Sequence, residues 1–423
     1  MGWSIDLYDL LIILYLASTI GPLLLPAGSE TLQLAFVFAS FAVTLVMRPA
    51  GSALFGSFAD RNGRKKAMLV AITGVGIATA LMGTVPTYAT AGVLAPAMFV
   101  VLRLVQGVFV GGVVASTHTL GTETVPAKHR GLMSGIVAGG GAGLGAVLAS
   151  VVFLVVSNIF TGPAFAAMGW RVMFFTGLIA AALSFFVYAK TTESPLWAAE
   201  DQKGAKPKSP LRTLFSAGHR SVFFVNVVLV AGGASLYYLT MGFFPTFIDT
   251  NLGVPKGAAA VVLIVANSAV VCGGLLGGTL SDRIGRRRTF LFVGVPALVA
   301  IPALYLWAST LAADQVVLIT VLAIAMALLM MTSTAPILIF LNERFPTKIR
   351  ATGTALSWNT GYALGGMTPT LVTLASPEVS DIPSRLAVLT AVTGLIFVVG
   401  AAVTAETRTR GLTDDATEPA VTP

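Results

Sequence analysis

The chain has 423 residues, of which 56% are hydrophobic and only 10% are charged, and its mean hydropathy is +0.87. Soluble domains carry about a quarter charged residues, so this composition excludes an ordinary soluble protein and predicts a membrane protein. The net charge of +8 does not indicate a nucleic-acid partner, because the cations lie in short loops between apolar segments.

Apolar windows long enough to cross a bilayer recur along the whole chain. A membrane-spanning helix needs about 20 mostly apolar residues. The first window lacks the basic segment and cleavage site of a secretory signal, so we expect it to remain in the protein as a span. We predict an all-α membrane protein with twelve transmembrane helices near residues 7–28, 32–58, 67–86, 91–121, 132–156, 170–189, 221–247, 258–280, 289–308, 315–341, 352–375 and 384–404.

The distribution of lysine and arginine predicts the orientation of these spans. Nearly all cations lie in the loops on the side that both termini share. Loops rich in Lys and Arg stay in the cytoplasm, so both termini are predicted to be cytoplasmic. The exceptions are Arg48, Arg103, Arg171, Lys256 and Arg385.

One long polar segment divides the spans into two sets of six. It covers residues 191–220, TTESPLWAAEDQKGAKPKSPLRTLFSAGHR. We therefore predict four regions, which are an N-terminal six-helix bundle at 1–189, a cytoplasmic linker at 190–220, a C-terminal six-helix bundle at 221–405 and a cytoplasmic tail at 406–423. The tail is polar from Glu406 onward and is expected to be disordered.

The two halves share an internal repeat. GSFADRNGRK at 56–65 recurs as GTLSDRIGRR at 278–287, and ETVPAKHRG at 123–131 recurs as ERFPTKIRATG at 343–353. Each pair follows the second and the fourth span of its half. Two related units with a substrate site between them are typical of secondary transporters, so the pattern predicts two pseudo-symmetric bundles.

These residues resemble the major facilitator superfamily, whose cytoplasmic signature is G-xxx-D-R/K-x-G-R/K-R/K after the second span. A finer resemblance is to its metabolite:proton symporter branch. It depends on RPAGSALFGSFADRNGRK (48–65), RLVQGVFVGG (103–112), ESPLW (193–197), YYLTMGFFPTFI (237–248), NERFPTKIRATG (342–353) and WNTGYALGGMTP (358–369).

The resemblance implies the major facilitator fold in the cell inner membrane and import of organic acids or zwitterions together with protons. The expected partners are a small carboxylate or zwitterion and the lipid bilayer, with the chain as a monomer. No cofactor is expected beyond the proton as coupling ion. Val113 departs from the branch, which often has Glu after the glycine pair of span four. The long C-terminal extension of osmosensing members is also missing, which argues against osmosensing.

The repeated motifs predict a gate at the cytoplasmic ends of the helices. An aspartate at such an end can accept hydrogen bonds from a neighbouring helix N-terminus and pair with arginine across the two halves. Contacts of this kind form in one conformation and break in the other; the alternative is simple anchoring by positive charge. The candidate gating residues are Asp60, Arg61, Gly63, Arg64, Glu123, Arg130, Asp282, Arg283, Arg286, Glu343 and Arg350, with Glu123 expected to pair with Arg130 and Glu343 with Arg350.

Charges inside spans are costly and are therefore candidates for function. Asp6 and Asp9 share one face of span one and are candidate proton carriers. Arg48 of span two is expected to pair with Asp9, so that protonation would remodel the pair. The alternatives are two carboxylates facing cytoplasmic water and a static buried pair.

The substrate-binding candidates lie in both halves. Arg103, Gln106 and His118 occupy span four, where arginine suits a carboxylate through a bidentate fork or, alternatively, braces a neighbouring helix. In the second half the candidates are Asn226, Tyr237, Tyr238, Trp358 and Asn359, because buried polar and aromatic groups need a partner that a substrate can supply.

The sequence favours a proton-coupled importer and leaves two alternatives open. One is an uncoupled facilitator, which Val113 favours, and the other is a nutrient sensor on a transporter fold. The stretch GGGAGLG at 139–145 predicts close helix packing and lacks the Gly-Pro pair of span five in drug antiporters, which argues against efflux. No nucleophile–base constellation or metal-ligand spacing indicates an enzyme.

Overall fold

The computed structural model describes residues 2–26, 29–62, 64–123, 125–190, 214–216, 218–345 and 347–409. Within these residues the chain is helical and contains no β-strand. Most of the predicted linker, including the ESPLW motif, and the predicted tail after residue 409 lie outside the described residues.

The helices occupy the positions of the twelve predicted spans, and we number them in chain order. They are α1 Gly2–Leu24, α2 Glu30–Asn62, α3 Arg64–Met82, α4 Leu94–Glu123, α5 Ala127–Ile159, α6 (Phe165–Gly169, Trp170–Phe175 and Gly177–Lys190), α7 Arg220–Asn251, α8 Lys256–Ile284, α9 Arg286–Ala308, α10 (Val316–Thr334 and Ile337–Arg344), α11 (Thr347–Gly365 and Thr368–Leu374) and α12 Ile382–Ala402.

Most of these helices are long and apolar enough to cross a membrane. In the described part of the chain nine segments meet that standard, and the shorter apolar helices Leu11–Leu24 and Lys66–Met82 add to them. α11 is the exception, because a turn at Gly366 and Met367 divides it and its first part begins with cations. The apolar windows therefore located the helices correctly. Large side chains such as Phe292, Val299 and Val317 are exposed on the outside, where lipid would contact them.

Helix packing follows the division of the sequence into halves. α2 packs on α4, α3 on α4 and α6, and α1 on α5. In the second half α8 packs on α10, α7 on α11 and α12, and α9 on α12. Between the halves the main contacts are α5 with α8 and α2 with α11.

The contact of α5 with α8 depends on glycine. Gly135 and Gly139 of α5 lie against Gly274 of α8, and a β-carbon on either would collide with that residue's backbone. Small residues let two helix backbones approach closely inside a membrane. The GGGAGLG stretch therefore has the packing role that its composition predicts, and it lies in a contact between the two halves.

Candidate functional site

The candidate site extends along the interface between the two halves and has three parts. We call the basic end of the molecule the end at which α2, α4, α8 and α10 finish. The opposite end is where α1, α5 and α7 finish. A closure lies at each end, and a cavity lies between them.

At the basic end Asp282 of α8 bonds to the first turn of α5. Its Oδ1 accepts a hydrogen bond from the backbone N–H of Gly131 at 2.8 Å, and its Oδ2 accepts one from Leu132 at 2.8 Å. The first N–H groups of a helix have no partner within it and carry partial positive charge, so a carboxylate there is stabilising. Asp282 therefore joins the two halves in the way that its motif predicts.

Arg286 of α9 links Asp282 to a second carboxylate. Its Nη1 is 2.7 Å from Asp282 Oδ1, its Nη2 is 3.1 Å from Glu343 Oε1, and its Nε donates to Glu343 Oε2 at 3.4 Å. The Arg286 and Glu343 side chains are each only 1% exposed. Thr407 also donates to Glu343, at 2.6 Å. Buried charges are tolerated when they are paired and hydrogen-bonded in this way.

Glu343 has a partner that the sequence analysis did not name, because it pairs with Arg286. The side chain of Arg350 lies outside the described residues, so its predicted pairing with Glu343 remains a prediction. Arg130 is half-buried at the start of α5 and close enough to Glu343 for an electrostatic interaction. The network therefore includes a cation from the first half. The predicted pairing of Arg130 with Glu123 remains a prediction, because the side chain of Glu123 lies outside the described residues.

Glu406 completes this closure. Its Oε1 accepts from the backbone N–H of Arg286 at 2.8 Å and its Oε2 from that of Arg287 at 3.1 Å, so it caps the start of α9. The expectation that the chain is disordered from Glu406 onward is therefore wrong for residues 406–409. One sequence signal was available: α9 begins with three arginines and has no acidic residue in its first turn, so a helix N-terminus there needs a cap from elsewhere.

The other gating candidates are less defined. Arg283 is exposed, and its carbonyl oxygen accepts from Arg408 at 2.6 Å. Gly63 and the side chains of Asp60, Arg61, Arg64 and Glu123 lie outside the described residues, although those four residues belong to helices. Their part in a matching closure remains a prediction.

The closure at the opposite end has a different composition. Ser18 of α1 donates a hydrogen bond to Asp249 of α7, which joins the two halves. Lys256, at the start of α8, has its Nζ 3.4 Å from Asp249 Oδ2 and 5.5 Å from the ring centre of Phe165, at the start of α6. Sequence reasoning missed Ser18, Asp249 and Phe165, because they belong to no motif that repeats in the other half.

Aromatic packing extends this closure toward the centre. Phe38 of α2 stacks on Phe243 of α7 with ring centres 4.9 Å apart. Phe41 meets Tyr238 edge-on at 5.1 Å. All four rings are fully buried. The predicted substrate contact Tyr238 therefore lies in the wall between the halves.

A small cavity of about 20 Å³ lies between the two closures. A space of this size holds about one water molecule. Tyr237 lines it from α7, and Trp358 and Tyr362 line it from α11. The remaining lining residues come from α5, α7 and α10 and are Ala138, Ala142, Gly233, Met331, Thr334 and Ile337. The structure thus brings together two predicted candidates, Tyr237 and Trp358, and adds Tyr362, which the sequence analysis missed.

Arg48 lies close to one residue of the cavity lining. It is fully buried on α2, and it is close enough to Tyr362 to interact with it electrostatically. One turn further along α2, Ser52 Oγ accepts from Asn359 Nδ2 at 3.0 Å. The candidates Arg48 and Asn359 therefore both lie where α2 crosses α11. Asp6 and Asp9 belong to α1, but their side chains lie outside the described residues, so the Asp9–Arg48 pair remains a prediction.

Arg103 is hydrogen-bonded within the first half. Its Nη1 donates to Gln106 Oε1 at 2.5 Å, and Gln106 Nε2 donates to Thr79 of α3 at 2.6 Å. Its guanidinium carbon is 5.9 Å from the ring centre of Phe99. Neither Arg103 nor Gln106 lines the cavity, so their geometry favours the helix-bracing alternative over substrate contact.

The last two candidates are Asn226, which does not line the cavity, and His118. Asn226 is fully buried on α7, and neither polar atom of its amide has a hydrogen-bond partner among the described residues. The side chain of His118 lies outside the described residues.

Two helical halves closed at both ends around a central cavity have the arrangement of a membrane transporter. The chain belongs to the Major Facilitator Superfamily, whose sequence model matches residues 10–370. The inner membrane metabolite transport protein YhjE of Escherichia coli (strain K12) is 29% identical over 86% of this chain and 83% of its own length. The proline/betaine transporter of Salmonella typhimurium (strain LT2) is 27% identical over 99% of this chain and 85% of its own.

A solved structure supports the same fold. The proton:xylose symporter XylE bound to 6-bromo-6-deoxy-D-glucose superposes with a TM-score of 0.76 over 98% of this chain and 96% of its own, at 19% identity. The chain is therefore a multi-pass transporter of the inner membrane rather than an enzyme.

Proposed function

We propose that this protein imports a small organic acid or zwitterion together with protons by alternating access. The observation that supports the proposal best is the pair of closures, Asp282 with α5 at one end and Asp249 with Ser18 at the other. Each joins the two halves, and the cavity lies between them. Opening either end requires breaking one set of contacts while the other set holds, which is what alternating access needs.

The proposed membrane topology follows from the distribution of lysine and arginine. Twelve helices cross the membrane as two six-helix bundles, 1–189 and 221–405, and the basic end faces the cytoplasm together with both termini. The Asp282 network is then the cytoplasmic gate, and Ser18 with Asp249 belongs to the periplasmic gate. The chain acts as a monomer and needs no cofactor besides the coupling proton.

We assign proton coupling to Asp9, with Asp6 on the same helix face. Arg48 is the cation whose pairing with Asp9 would change when Asp9 is protonated. Asp9 belongs to α1, which carries the periplasmic contact residue Ser18. The uncoupled facilitator remains the second candidate. Val113 favours it, because this residue is buried in an apolar cluster with Ala71 and Ile72, where a carboxylate would be strongly disfavoured. A sensor without transport is the third.

The proposed substrate class is based on the names of similar proteins. The two quoted above carry names for metabolite transport and for proline and betaine transport. A buried arginine next to an aromatic cavity is compatible with a single carboxylate in the substrate. We therefore place small monocarboxylates and zwitterions ahead of tricarboxylates.

The test is substrate-induced pH change in proteoliposomes, with Asp9→Asn beside the unaltered protein. We expect external alkalinisation when the substrate enters, and we expect Asp9→Asn to abolish it while counterflow exchange continues. Asp314→Asn, which changes a carboxylate in a loop at the opposite end, is the matched control and should behave like the parent. Counterflow without proton movement in the parent would establish the facilitator instead.

A further inference from the structure

α10 is interrupted by a short turn. Its first part ends at Thr334 and its second part begins at Ile337, with Ala335 and Pro336 between them. Proline has no backbone N–H, and its ring collides with the carbonyl group four residues earlier, so it interrupts a helix. In a continuous helix the N–H of Ile339 would donate to the carbonyl oxygen of Ala335. The interruption makes these two backbone groups available to other partners.

A serine of the first half lies at this interruption. Ser134 of α5 donates a hydrogen bond to the carbonyl oxygen of Ala335 at 2.7 Å, and its oxygen accepts one from the N–H of Ile339 at 3.2 Å. The side chain of Ser134 is fully buried. Unpartnered backbone groups are costly in a buried position, and here one hydroxyl bonds to both of them. The interrupted form of α10 is therefore stabilised by a side chain of the other half.

α7 is also interrupted, but its supporting hydroxyl belongs to the same half. A π-helical turn occupies Tyr238–Gly242, and Tyr305 of α9 donates to the carbonyl oxygens of Leu239 at 2.5 Å and Thr240 at 3.3 Å. Since α7 and α9 belong to one bundle, these bonds persist when the two halves separate. The bonds of Ser134 join α5 to α10 across the halves, so they must break when the basic end opens.

The second part of α10 connects the cavity to the closure at the basic end. Thr334 and Ile337, which flank the interruption, both line the cavity. At the far end of the second part, Glu343 pairs with Arg286 in the network of Asp282. This part has eight residues and is about 12 Å long. A change of its direction at the interruption would therefore alter the cavity lining and displace Glu343 at the same time.

We propose that Ser134 is a positioning residue that holds α10 in its interrupted form only while the basic end is closed. This inference rests on the alternating access proposed above. When α5 withdraws, the N–H of Ile339 bonds to the carbonyl oxygen of Ala335, and the second part of α10 turns toward the direction of the first. The ψ angle of Pro336 is −4°, against about −42° in an α-helix, so a local rotation is sufficient.

The direct test measures a distance between two spin labels within the second half, by double electron–electron resonance in nanodiscs and without a substrate. In a Cys272→Ser background, one label is at Arg344→Cys, the last residue of α10, and the other at Phe292→Cys, an exposed position on α9. A turn of about 20° in a segment of about 12 Å moves its end by about 4 Å. Ser134→Ala should shift most of the distance distribution by this amount. An unchanged distribution would overturn the proposal.

Two serine variants separate this role from general damage to the fold. Ser134→Thr keeps the hydroxyl and should keep the parent distribution. Ser157→Ala removes a hydroxyl of the same helix whose bond, to the carbonyl oxygen of Leu154, stays within α5, and it should have no effect. A shift of equal size in either variant would contradict a specific role of the Ser134 hydroxyl. A lower thermal midpoint of Ser134→Ala without a shift would reduce Ser134 to a packing residue and overturn the proposal.

A second label pair separates bending of α10 from movement of the whole helix. Phe292→Cys is combined with Val321→Cys, an exposed position on the first part of α10. Its distance should stay the same in Ser134→Ala, because only the second part turns. Equal shifts of both label pairs would show that α10 moves as one piece, and the proposal would be wrong.

Opening of the basic end should have the same effect as Ser134→Ala. Asp282→Asn weakens the contact of α8 with α5, and it should produce faster maleimide labelling of Ser52→Cys together with the shifted distance. Faster labelling without the shift would show that water takes the place of Ser134, which would overturn the proposal. Because these measurements use no substrate, failure of every solute to exchange in counterflow would overturn the transport function and leave the role of Ser134 standing.

Discussion

The two ends of the interface are closed by the same kind of contact in different surroundings. At each end an aspartate of the second half accepts a hydrogen bond from the first half, Asp282 from α5 and Asp249 from Ser18. Asp282 lies in a buried network with Arg286 and Glu343. Asp249 is paired with Lys256, and these two side chains are 31% and 36% exposed.

The ion pairs with Arg286 and Lys256 lie within the second half, so the bonds to the first half are what hold each end. Asp282 accepts two bonds from backbone N–H groups in a nearly buried site, and hydrogen bonds to a charged group are worth about 1.5–3 kcal/mol each, whereas Asp249 accepts one from Ser18 in a partly exposed site. The opposite end must therefore depend on the packing of Phe38 on Phe243 more than on its charges. We expect the basic end to be the harder one to open, so that the resting protein opens first at the opposite end.

Loss of the Asp282 carboxylate should have the largest effect. Asp282→Asn replaces one carboxylate oxygen by an amide N–H₂ group, so one of the two backbone N–H groups of α5 loses its acceptor and the other loses a charged one, at a cost of about 1–3 kcal/mol in the closed basic end. In a Cys272→Ser background, Ser52→Cys should then react with an impermeant maleimide at least about tenfold faster, and transport should fall by a similar factor. Unchanged labelling would show that the network does not hold this end closed.

Loss of the aromatic contact at the opposite end should have the second-largest effect. Phe243→Leu keeps an apolar side chain but loses the ring pair with Phe38, which is worth about 0.5–1.5 kcal/mol. Labelling of Thr246→Cys, a buried α7 position near that end, should rise a few-fold while labelling of Ser52→Cys does not. A rise at both positions would indicate general loosening rather than opening of one end.

Removal of the cap on α9 should have a smaller effect that is mainly on stability. Glu406→Ala leaves the N–H groups of Arg286 and Arg287 without their acceptor, which costs about 1 kcal/mol. The thermal midpoint of the purified protein should fall by a few degrees, and Glu406→Asp should recover part of the loss. Asp314→Ala, which alters an exposed aspartate in a turn at the opposite end, is the control and should leave the midpoint nearly unchanged.

The smallest effect is expected for the partly exposed pair. Lys256→Gln removes the ion pair with Asp249 but keeps the hydrogen bond from Ser18, so the change should stay below about 1 kcal/mol. Labelling of Thr246→Cys should change less than about fivefold, and any change should disappear in high salt. A large effect that persists in high salt would contradict the ranking of the two ends.

The sequence determined the helices because hydropathy is a local property. Each apolar window of about 20 residues has only one way to satisfy its backbone in a membrane, which is to form a helix. The repeated motif also identified Asp282, because anchoring by positive charge alone would not need glycine and aspartate at fixed spacing in both halves. Glycines at 139–145 likewise predicted close packing, which the contact with Gly274 bears out.

Only the tertiary structure decided which groups meet. Glu343 bonds to Arg286, which is 57 residues away in sequence, and Asp249 bonds to Ser18, which is 231 residues away. The sequence made Arg103 a substrate-binding candidate with helix bracing as the alternative, and the tertiary structure shows it bonded to Gln106 and away from the cavity lining. These partners depend on how whole helices pack and turn toward one another, and hydropathy constrains that arrangement only weakly, because lipid is as apolar as the side chains that face it.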